Sequence, residues 1–303
     1  VLVFLGLITL LAKAMSEGKI VIRTGLLYIP VGLVVIGTGL STIFSLWRYG
    51  SFWGWPLDVG DSFLTIVGLA FLYVLMVNVI EDNKQLFRVL FLFLVSGVIA
   101  SIYALLQLYG IFLVPFEFAK AVSFNTIGGV NSLAVFAAVL LPLALTLAFA
   151  SKLLLRWLLW ALVAVLLATV IMINFSNAWL AFVIGLLVLL AFGMWNVKKR
   201  AEFGWVSFPM AFIIVAIFFI VFGVSAPGAP SVPAEVSPSI AASTDIAKQV
   251  LKSSPVLGSG PGTFTYDYTQ YHSAELNQTI FWGTRFTSGG SEFLDWLTTK
   301  GIL

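Results

Sequence analysis

The chain has 303 residues, of which 60% are hydrophobic and 10% are charged, and its mean hydropathy is +1.07. Globular chains carry about 25% charged residues, so this composition excludes a soluble domain, a disordered chain and a nucleic-acid-binding domain. The formal net charge of +3 decides nothing alone, while the absence of cysteine and the single histidine exclude a disulfide framework and leave little scope for a metal centre.

Long apolar segments separated by charged or turn-rich breaks predict an all-α fold, a polytopic transmembrane helical bundle. Strands are disfavoured because lipid offers no partner to an open sheet edge. The predicted spans are 1–12, 25–45, 62–80, 89–108, 130–150, 157–174, 178–195, 206–224 and 292–303. Residues 1–224 therefore form eight helices, 225–291 form one long loop, and 292–303 begin a ninth helix. Because the first and last spans are cut inside apolar runs, we expect a fragment of a longer chain.

Basic residues in the connecting loops predict the orientation, because cytoplasmic loops of membrane proteins carry an excess of Lys and Arg. Alternate loops hold ten of them: Lys13, Lys19, Arg23, Lys84, Arg88, Lys152, Arg156, Lys198, Lys199 and Arg200. The intervening loops hold five: Arg48, Lys120, Lys248, Lys252 and Arg285. Three of these five lie in the long loop, where the charge rule does not apply. We therefore expect the first set to be cytoplasmic and residues 225–291 to be extracytoplasmic.

The long loop contains a predicted amphipathic helix around residues 243–254. Its apolar positions fall on one face, Ser243 is the expected N-cap, and Pro255 stops the helix. A helix of this kind, tethered to a membrane, is expected to lie in the outer interface.

A glycine-rich run follows this helix, with Gly258, Gly260 and Gly262 at alternate positions. Glycines spaced in this way permit tight turns and allow backbone N–H groups to point at an anion. The spacing differs from that of the dinucleotide fingerprint and of the P-loop. The run is therefore read either as a structural turn or as part of an anion-binding site.

Several polar residues share the predicted outer level of the helices. Asn131 flanks the start of one span, Ser176 and Asn177 lie in a short outer connection, and Glu292 opens the last span. Polar side chains near membrane spans usually face a cavity or a partner, so we expect a polar pocket that opens outward. The alternative is that these residues are helix caps and ordinary interfacial groups. His272, the single imidazole, is read as a surface residue or a catalyst.

Four segments taken in order resemble the O-antigen ligase and O-antigen polymerase superfamily. The first is Phe124–Ala134 running into Leu140–Ala144, and the second is Phe175–Ala181, which is similar to the family's Ser-Arg-Gly/Ala-aromatic-Leu-Ala motif. The third is Ser254–Phe264, similar to its Pro-x-x-Gly-x-Gly-Pro-Gly-x-Phe motif. The fourth is Phe293–Leu303, similar to the segment that re-enters the membrane after the large loop.

This resemblance implies a membrane glycosyltransferase in the cytoplasmic membrane of a bacterium. Such proteins move a glycan from an undecaprenyl diphosphate carrier to a hydroxyl group of a glycan, lipid or protein acceptor on the outer side. They need no metal, nucleotide sugar or other cofactor. Cationic side chains stabilise the diphosphate as it leaves, and a general base assists the acceptor hydroxyl.

The chain departs from the family pattern at three important places, one of which is the loop helix, which carries Lys248 and Lys252 but no arginine. Asn177 stands where the family usually has arginine, and Gly290 and Ser291 stand where a His-Asn pair usually precedes the final helix. These departures fit a divergent enzyme or a relative that no longer catalyses.

The remaining polar residues of the loop are the candidates for these roles. Arg285 is expected to contact the diphosphate, Glu292 is the expected base, and His272 is the weaker substitute for it. Substrate binding is assigned to Lys248, Lys252, Gly258, Gly260, Gly262, Asn131, Ser176 and Asn177.

Two other function classes remain open at this point. A non-catalytic scaffold for a cell-envelope partner would explain the loss of the usual arginine and histidine. A polysaccharide transporter or flippase would require coupled polar residues near the membrane midplane, and the sequence offers almost none.

Overall fold

The computed structural model describes residues 2–18, 23, 25–54, 56, 58–195, 204–233, 235–274 and 278–302. Four of the basic residues used to predict the orientation lie outside the described residues: Lys19, Lys198, Lys199 and Arg200.

The described part of the chain is helical and contains no strand. Its helices are α1 (Leu2–Glu17), α2 (Tyr28–Ile43), α3 (Arg48–Trp53), α4 (Phe63–Val79), α5 (Asn83–Leu108), α6 (Val130–Ala150), α7 (Leu153–Ile173), α8 (Ser176–Trp195), α9 (Gly204–Phe222), α10 (Ile240–Ser253), α11 (Phe264–Tyr271) and α12 (Glu292–Lys300), with a 3₁₀ turn at Glu117–Ala119. The all-α prediction is thus confirmed, and each predicted span coincides with a helix. Two short helices, α3 and α11, were not predicted.

Four of the described helices, α5 to α8, are long and apolar enough to cross a bilayer. Helices α1, α2, α4 and α9 are also apolar, over shorter described stretches. The polar nine-residue α12 is in neither group. The chain is therefore a membrane-associated helical protein.

Two compact units make up the chain. Unit 1 comprises Val1–Glu81 and Val236–Leu303, and unit 2 comprises Asp82–Glu235. Unit 1 thus holds α1 to α4 together with α10 to α12, while unit 2 holds α5 to α9.

Unit 2 is organised around α6, which packs against α5, α7 and α8, while α9 packs against α8. Small side chains on α6 allow this close approach, because helices in lipid gain stability from backbone proximity more than from hydrophobic burial. At Gly185 of α8, an added Cβ would lie 2.6 Å from Pro142 Cγ of α6. At Gly97 of α5, it would lie 2.3 Å from a methyl group of Leu140. The two glycines therefore fix how closely α5 and α8 approach α6.

A tight connection between α7 and α8 depends on Asn174. This residue adopts the left-handed conformation with φ of 51°, and its side-chain oxygen accepts a 2.9 Å hydrogen bond from Trp179 Nε1. Trp179 is fully buried and stacks on Phe219 of α9 with ring centroids 4.6 Å apart. The connection therefore orders the start of α8 by a local polar contact and an aromatic stack.

In unit 1, the apolar helices α1 and α2 both pack against α4, and α12 packs against α2 and α10. Helices α10 and α11 share a small core of their own, formed by Ile246, Val250, Phe264 and Tyr268. The apolar face of α10, predicted to rest on lipid, is thus buried on α11.

Helix α10 begins earlier than the sequence suggests. Ser239 is its N-cap and accepts a 3.1 Å hydrogen bond from the Ala242 N–H, whereas the predicted cap, Ser243, lies inside the helix. Ser243 is fully buried, and its Oγ accepts a 2.9 Å hydrogen bond from the Gly290 N–H. The prediction of Ser243 as the N-cap was wrong, because this serine instead accepts a hydrogen bond from a residue 47 positions away.

Candidate functional site

The glycine-rich turn, residues 255–263, is largely buried in unit 1 and depends on its glycines. Gly258, Gly260 and Gly262 have φ values of 64°, 120° and 72°, a region that L-residues with side chains rarely adopt. A Cβ at Gly260 would lie 2.0 Å from Ser45 Oγ, and one at Gly258 would lie 2.5 Å from the Thr298 carbonyl oxygen. These positions therefore admit glycine alone without a shift of their neighbours.

Backbone N–H groups of this turn are bonded within the chain. The Ser259 and Gly260 N–H groups donate to the carbonyl oxygens of Thr298 and Thr299 at 3.1 and 2.8 Å, which ties the turn to the end of α12. The Gly262 N–H donates to Asp61 Oδ2 at 3.0 Å. An N–H group of the glycine-rich run thus does meet an anion, and that anion is the protein's own carboxylate.

Asp61 also forms an ion pair with Lys300, whose side chain is 6% exposed. The ammonium group of Lys300 lies 3.7 Å from the centroid of the Trp296 ring, a cation–π geometry. Trp296 Nε1 in turn donates a 3.0 Å hydrogen bond to Glu292 Oε1. Since Glu292, Trp296 and Lys300 are spaced by four residues, they lie along one face of α12.

That face of α12 borders an apolar groove of about 520 Å³ against α2, which we call the α2/α12 groove. Its walls include Leu33 and Val34 of α2 together with Phe293 and Leu297 of α12. Glu292 and Lys300 also line it, and Glu292 is exposed. The predicted base therefore stands at an apolar groove large enough to hold part of a lipid chain.

A second, more polar groove of about 630 Å³ lies between α10 and the end of α11. It brings together three of the predicted site residues, Lys248, Lys252 and His272. Lys248 pairs with Asp245 at 3.4 Å, and Lys252 Nζ lies 3.3 Å from Gln249 Oε1. We call this the basic groove.

His272 is half-buried at the rim of the basic groove. Its Nδ1 lies 2.9 Å from the Tyr268 carbonyl oxygen, and its ring stacks on the Tyr268 ring with centroids 5.2 Å apart. The carbonyl oxygen can only accept a hydrogen bond, so Nδ1 of His272 carries a proton.

Three other predicted residues lie in unit 2. The Asn131 N–H donates to Glu235 Oε1 at 3.2 Å, so the anion at the start of α6 is again a carboxylate of the chain. Ser176 and Asn177 are exposed in the first turn of α8.

Arg285 is an exposed residue of unit 1 that lines neither groove.

Sequence reasoning missed a buried cluster of oxygen atoms beneath the glycine-rich turn. Asp267 on α11 is 1% exposed, and its Oδ2 lies 2.5 Å from Ser259 Oγ. Burial raises the pKa of the Asp267 carboxyl group to about 7, and the Ser259 hydrogen bond opposes that rise. The only signal in the sequence was an aspartate in an otherwise uncharged aromatic run, Phe264–Tyr271.

No protein-family model matches the chain. No curated protein and no solved structure matches it either.

Proposed function

We propose that the chain is a glycosyltransferase of the O-antigen ligase and polymerase type. It moves a glycan from an undecaprenyl diphosphate carrier to an acceptor hydroxyl on the outer side of a bacterial cytoplasmic membrane. The observation that carries this proposal is the α2/α12 groove, an apolar groove in a membrane-associated protein that is lined in part by an exposed carboxylate, Glu292.

In the proposed reaction, the acceptor oxygen attacks the anomeric carbon of the carrier-linked sugar while Glu292 takes the hydroxyl proton. The bond between that carbon and the diphosphate oxygen breaks, and its electron pair leaves with the diphosphate carrier. Trp296 holds Glu292 through its Nε1 hydrogen bond, and the buried Lys300–Asp61 pair holds Trp296 in place.

The leaving diphosphate requires cations, and the candidates remain Arg285, Lys248 and Lys252. Two of them line the basic groove, where a lysine acts as a point charge on phosphate. Arg285 supplies the planar, two-pronged geometry that phosphate prefers.

A transfer assay in proteoliposomes with lipid-linked glycan tests the base. Glu292→Gln keeps an oxygen that accepts the Trp296 hydrogen bond but cannot take a proton, so we expect transfer to fall by about 100-fold or more. Glu117→Gln is the matched control, because Glu117 is an exposed carboxylate of unit 2. Equal turnover of the Glu292→Gln variant and the wild type would remove Glu292 from the mechanism.

The cationic assignment is tested in the same assay. Arg285→Ala is expected to abolish transfer with normal expression, whereas Lys120→Ala, which removes an exposed cation of unit 2, leaves transfer unchanged. If Arg285→Ala leaves glycan transfer unchanged, diphosphate binding is assigned instead to the basic groove. The variant that combines Lys248→Ala with Lys252→Ala is then the next test.

One observation favours a second candidate, a non-catalytic scaffold for a cell-envelope partner. At Gly290, where the family usually has histidine, a Cβ would lie 2.4 Å from the Pro238 carbonyl oxygen. This chain has no room for a side chain at that position. Absence of transfer by the wild type, together with retained capture of an envelope partner by the loop, would favour the scaffold.

A further inference from the structure

The oxygen cluster beneath the glycine-rich turn contains three short contacts between oxygen atoms. Asp267 Oδ2 lies 2.5 Å from Ser259 Oγ, Ser259 Oγ lies 2.7 Å from Thr263 Oγ1, and Thr263 Oγ1 lies 2.6 Å from the Gly260 carbonyl oxygen. Ser259, Thr263 and Asp267 are all buried. A short contact between buried oxygens requires one hydrogen atom between them, since two facing lone pairs repel.

The number of hydrogen atoms available in this cluster fixes the direction of each hydrogen bond. The Gly260 carbonyl oxygen has none, so Thr263 must donate to it. The Thr263 hydroxyl hydrogen is then used, and Ser259 must donate to Thr263. The Ser259 hydrogen is used in turn, so the contact between Ser259 and Asp267 needs a third hydrogen. Only the Asp267 carboxyl group can carry it.

We infer that Asp267 is a protonated carboxylic acid whose proton completes a hydroxyl chain through Ser259 and Thr263 to the Gly260 carbonyl oxygen, and that this proton holds the glycine-rich turn against α12. When Asp267 is ionised, Ser259 must donate to the carboxylate instead. The contact between Ser259 and Thr263 then has no hydrogen, and an uncompensated charge is buried.

Several titratable groups lie on the elements packed around Asp267. They are Tyr266, Tyr268 and Tyr271 on α11, His272 directly after it, Asp245, Lys248 and Lys252 on α10, Glu292, Asp295 and Lys300 on α12, and Asp61 before α4. Among the described residues, burial and the Ser259 hydrogen bond account for the pKa of Asp267, and no cation contributes to holding it ionised.

The glycine-rich turn, held by the proton of Asp267, also supports the α2/α12 groove. Gly262, in the same turn, donates to Asp61, and Asp61 pairs with Lys300 beside Trp296. Asp267 is therefore a positioning residue, since it acts on Glu292 only through this chain of contacts. Its effect on glycan transfer rests on the proposed function, whereas its protonation state does not.

The sign of the pH dependence follows from the raised pKa. Between pH 4 and 7 the unfolded chain has an ionised Asp267 while the folded chain keeps its proton. The stability that this group contributes is fully present below about pH 4 and is lost as the pH rises through about 7. An amide at position 267 donates to Ser259 at every pH, so Asp267→Asn should remove this dependence.

The test uses the full chain in detergent micelles with carbon-13-labelled aspartate. Infrared spectra at pH 6 should show a protonated carboxylic acid band that is reduced in Asp267→Asn, unchanged in Asp245→Asn, and lost in the wild type by pH 9. Burial also raises the pKa of Asp295 to about 7, so the band that remains in Asp267→Asn should disappear when Asp295→Asn is added. Survival of the whole band in Asp267→Asn would overturn the inference.

A second measurement does not depend on a substitution at position 267. Amide exchange of residues 258–263 in the wild type, corrected for the intrinsic pH effect, should lose protection as the pH rises from about 4 to about 8. Ser259→Ala breaks the hydroxyl chain and should lose the same protection already at about pH 4. If the protection of these amides in the wild type does not change with pH, the proton of Asp267 does not hold the glycine-rich turn. Neither readout requires glycan transfer, so a failed transfer assay leaves this test intact.

Discussion

Unit 2 and the α10–α12 segment of unit 1 achieve close packing by opposite means. In unit 2, the helix α6 presents small and aliphatic side chains, and Gly97 and Gly185 let its neighbours approach. In the α10–α12 segment, polar groups are bonded instead: Lys300 with Asp61, which lies before α4, Asp267 with Ser259, and Ser243 with the Gly290 N–H. The unit that contains the long apolar helices thus depends on shape, whereas the α10–α12 segment depends on satisfied hydrogen bonds.

The largest expected effect is in the glycine-rich turn. Gly260→Ala places a Cβ 2.0 Å from Ser45 Oγ in a conformation that alanine rarely adopts, so we expect unfolding to become easier by about 4 kcal/mol or more. Gly283→Ala is the control, because nothing lies within 4 Å of an added Cβ there. Chemical denaturation in micelles measures both, and equal stability of the two variants would contradict the packing described for the turn.

The buried ion pair is expected to rank next. Lys300→Met leaves the Asp61 carboxylate without its cation, at a cost of about 3 kcal/mol in the free energy of unfolding. Lys120→Met breaks an exposed pair with Glu117 and should cost less than about 1 kcal/mol. Combining Lys300→Met with Asp61→Asn should restore part of the loss. Equal losses of unfolding free energy in Lys300→Met and Lys120→Met would contradict a buried ion pair at Lys300.

A smaller effect is expected in unit 2, where shape matters. Gly185→Ala forces a Cβ to within 2.6 Å of Pro142 and should cost about 2 kcal/mol. Gly193→Ala, on the same helix, has nothing within 4 Å and should gain up to about 1 kcal/mol from helix propensity. If both substitutions stabilise the protein, close approach at Pro142 is not what holds α8 on α6.

The smallest effect concerns the start of α10. Ser239→Ala removes the cap of the Ala242 N–H and should cost about 1 kcal/mol. Amide exchange separates this serine from Ser243: Ser239→Ala should expose the Ala242 amide, and Ser243→Ala should expose the Gly290 amide. If Ser243→Ala exposes the Ala242 amide instead, Ser243 is the N-cap of α10, as predicted from the sequence.

Much of the helical architecture could be predicted from the sequence, because apolar runs long enough to span a bilayer leave a strong local signal. The stop of α10 before Pro255 was predicted for the same kind of reason, since proline cannot continue a helix. Helix α11 was missed because it has only eight residues, and the apolar residues that it buries are two aromatic ones, Phe264 and Tyr268, with no aliphatic residue among them.

The site was predictable only in part. Local spacing placed Lys248 and Lys252 on one helix, but nothing local indicates that Asp61 meets Lys300, 239 residues further along the chain. The glycine-rich run was predicted to turn tightly, and it does. Its candidacy as a binding site for an external anion stays a prediction, since its N–H groups bond to carbonyl oxygens and to Asp61.

The proposed reaction requires the α10–α12 segment to face the side on which carrier-linked glycans are presented. The chain has no native cysteine, so single thiols report on position without background. An impermeant maleimide added to intact cells is expected to label Gln270→Cys, an exposed position on α11, and to leave Lys84→Cys unlabelled until the cells are opened. Labelling of position 84 with protection of position 270 would contradict glycan transfer by this segment outside the cytoplasm.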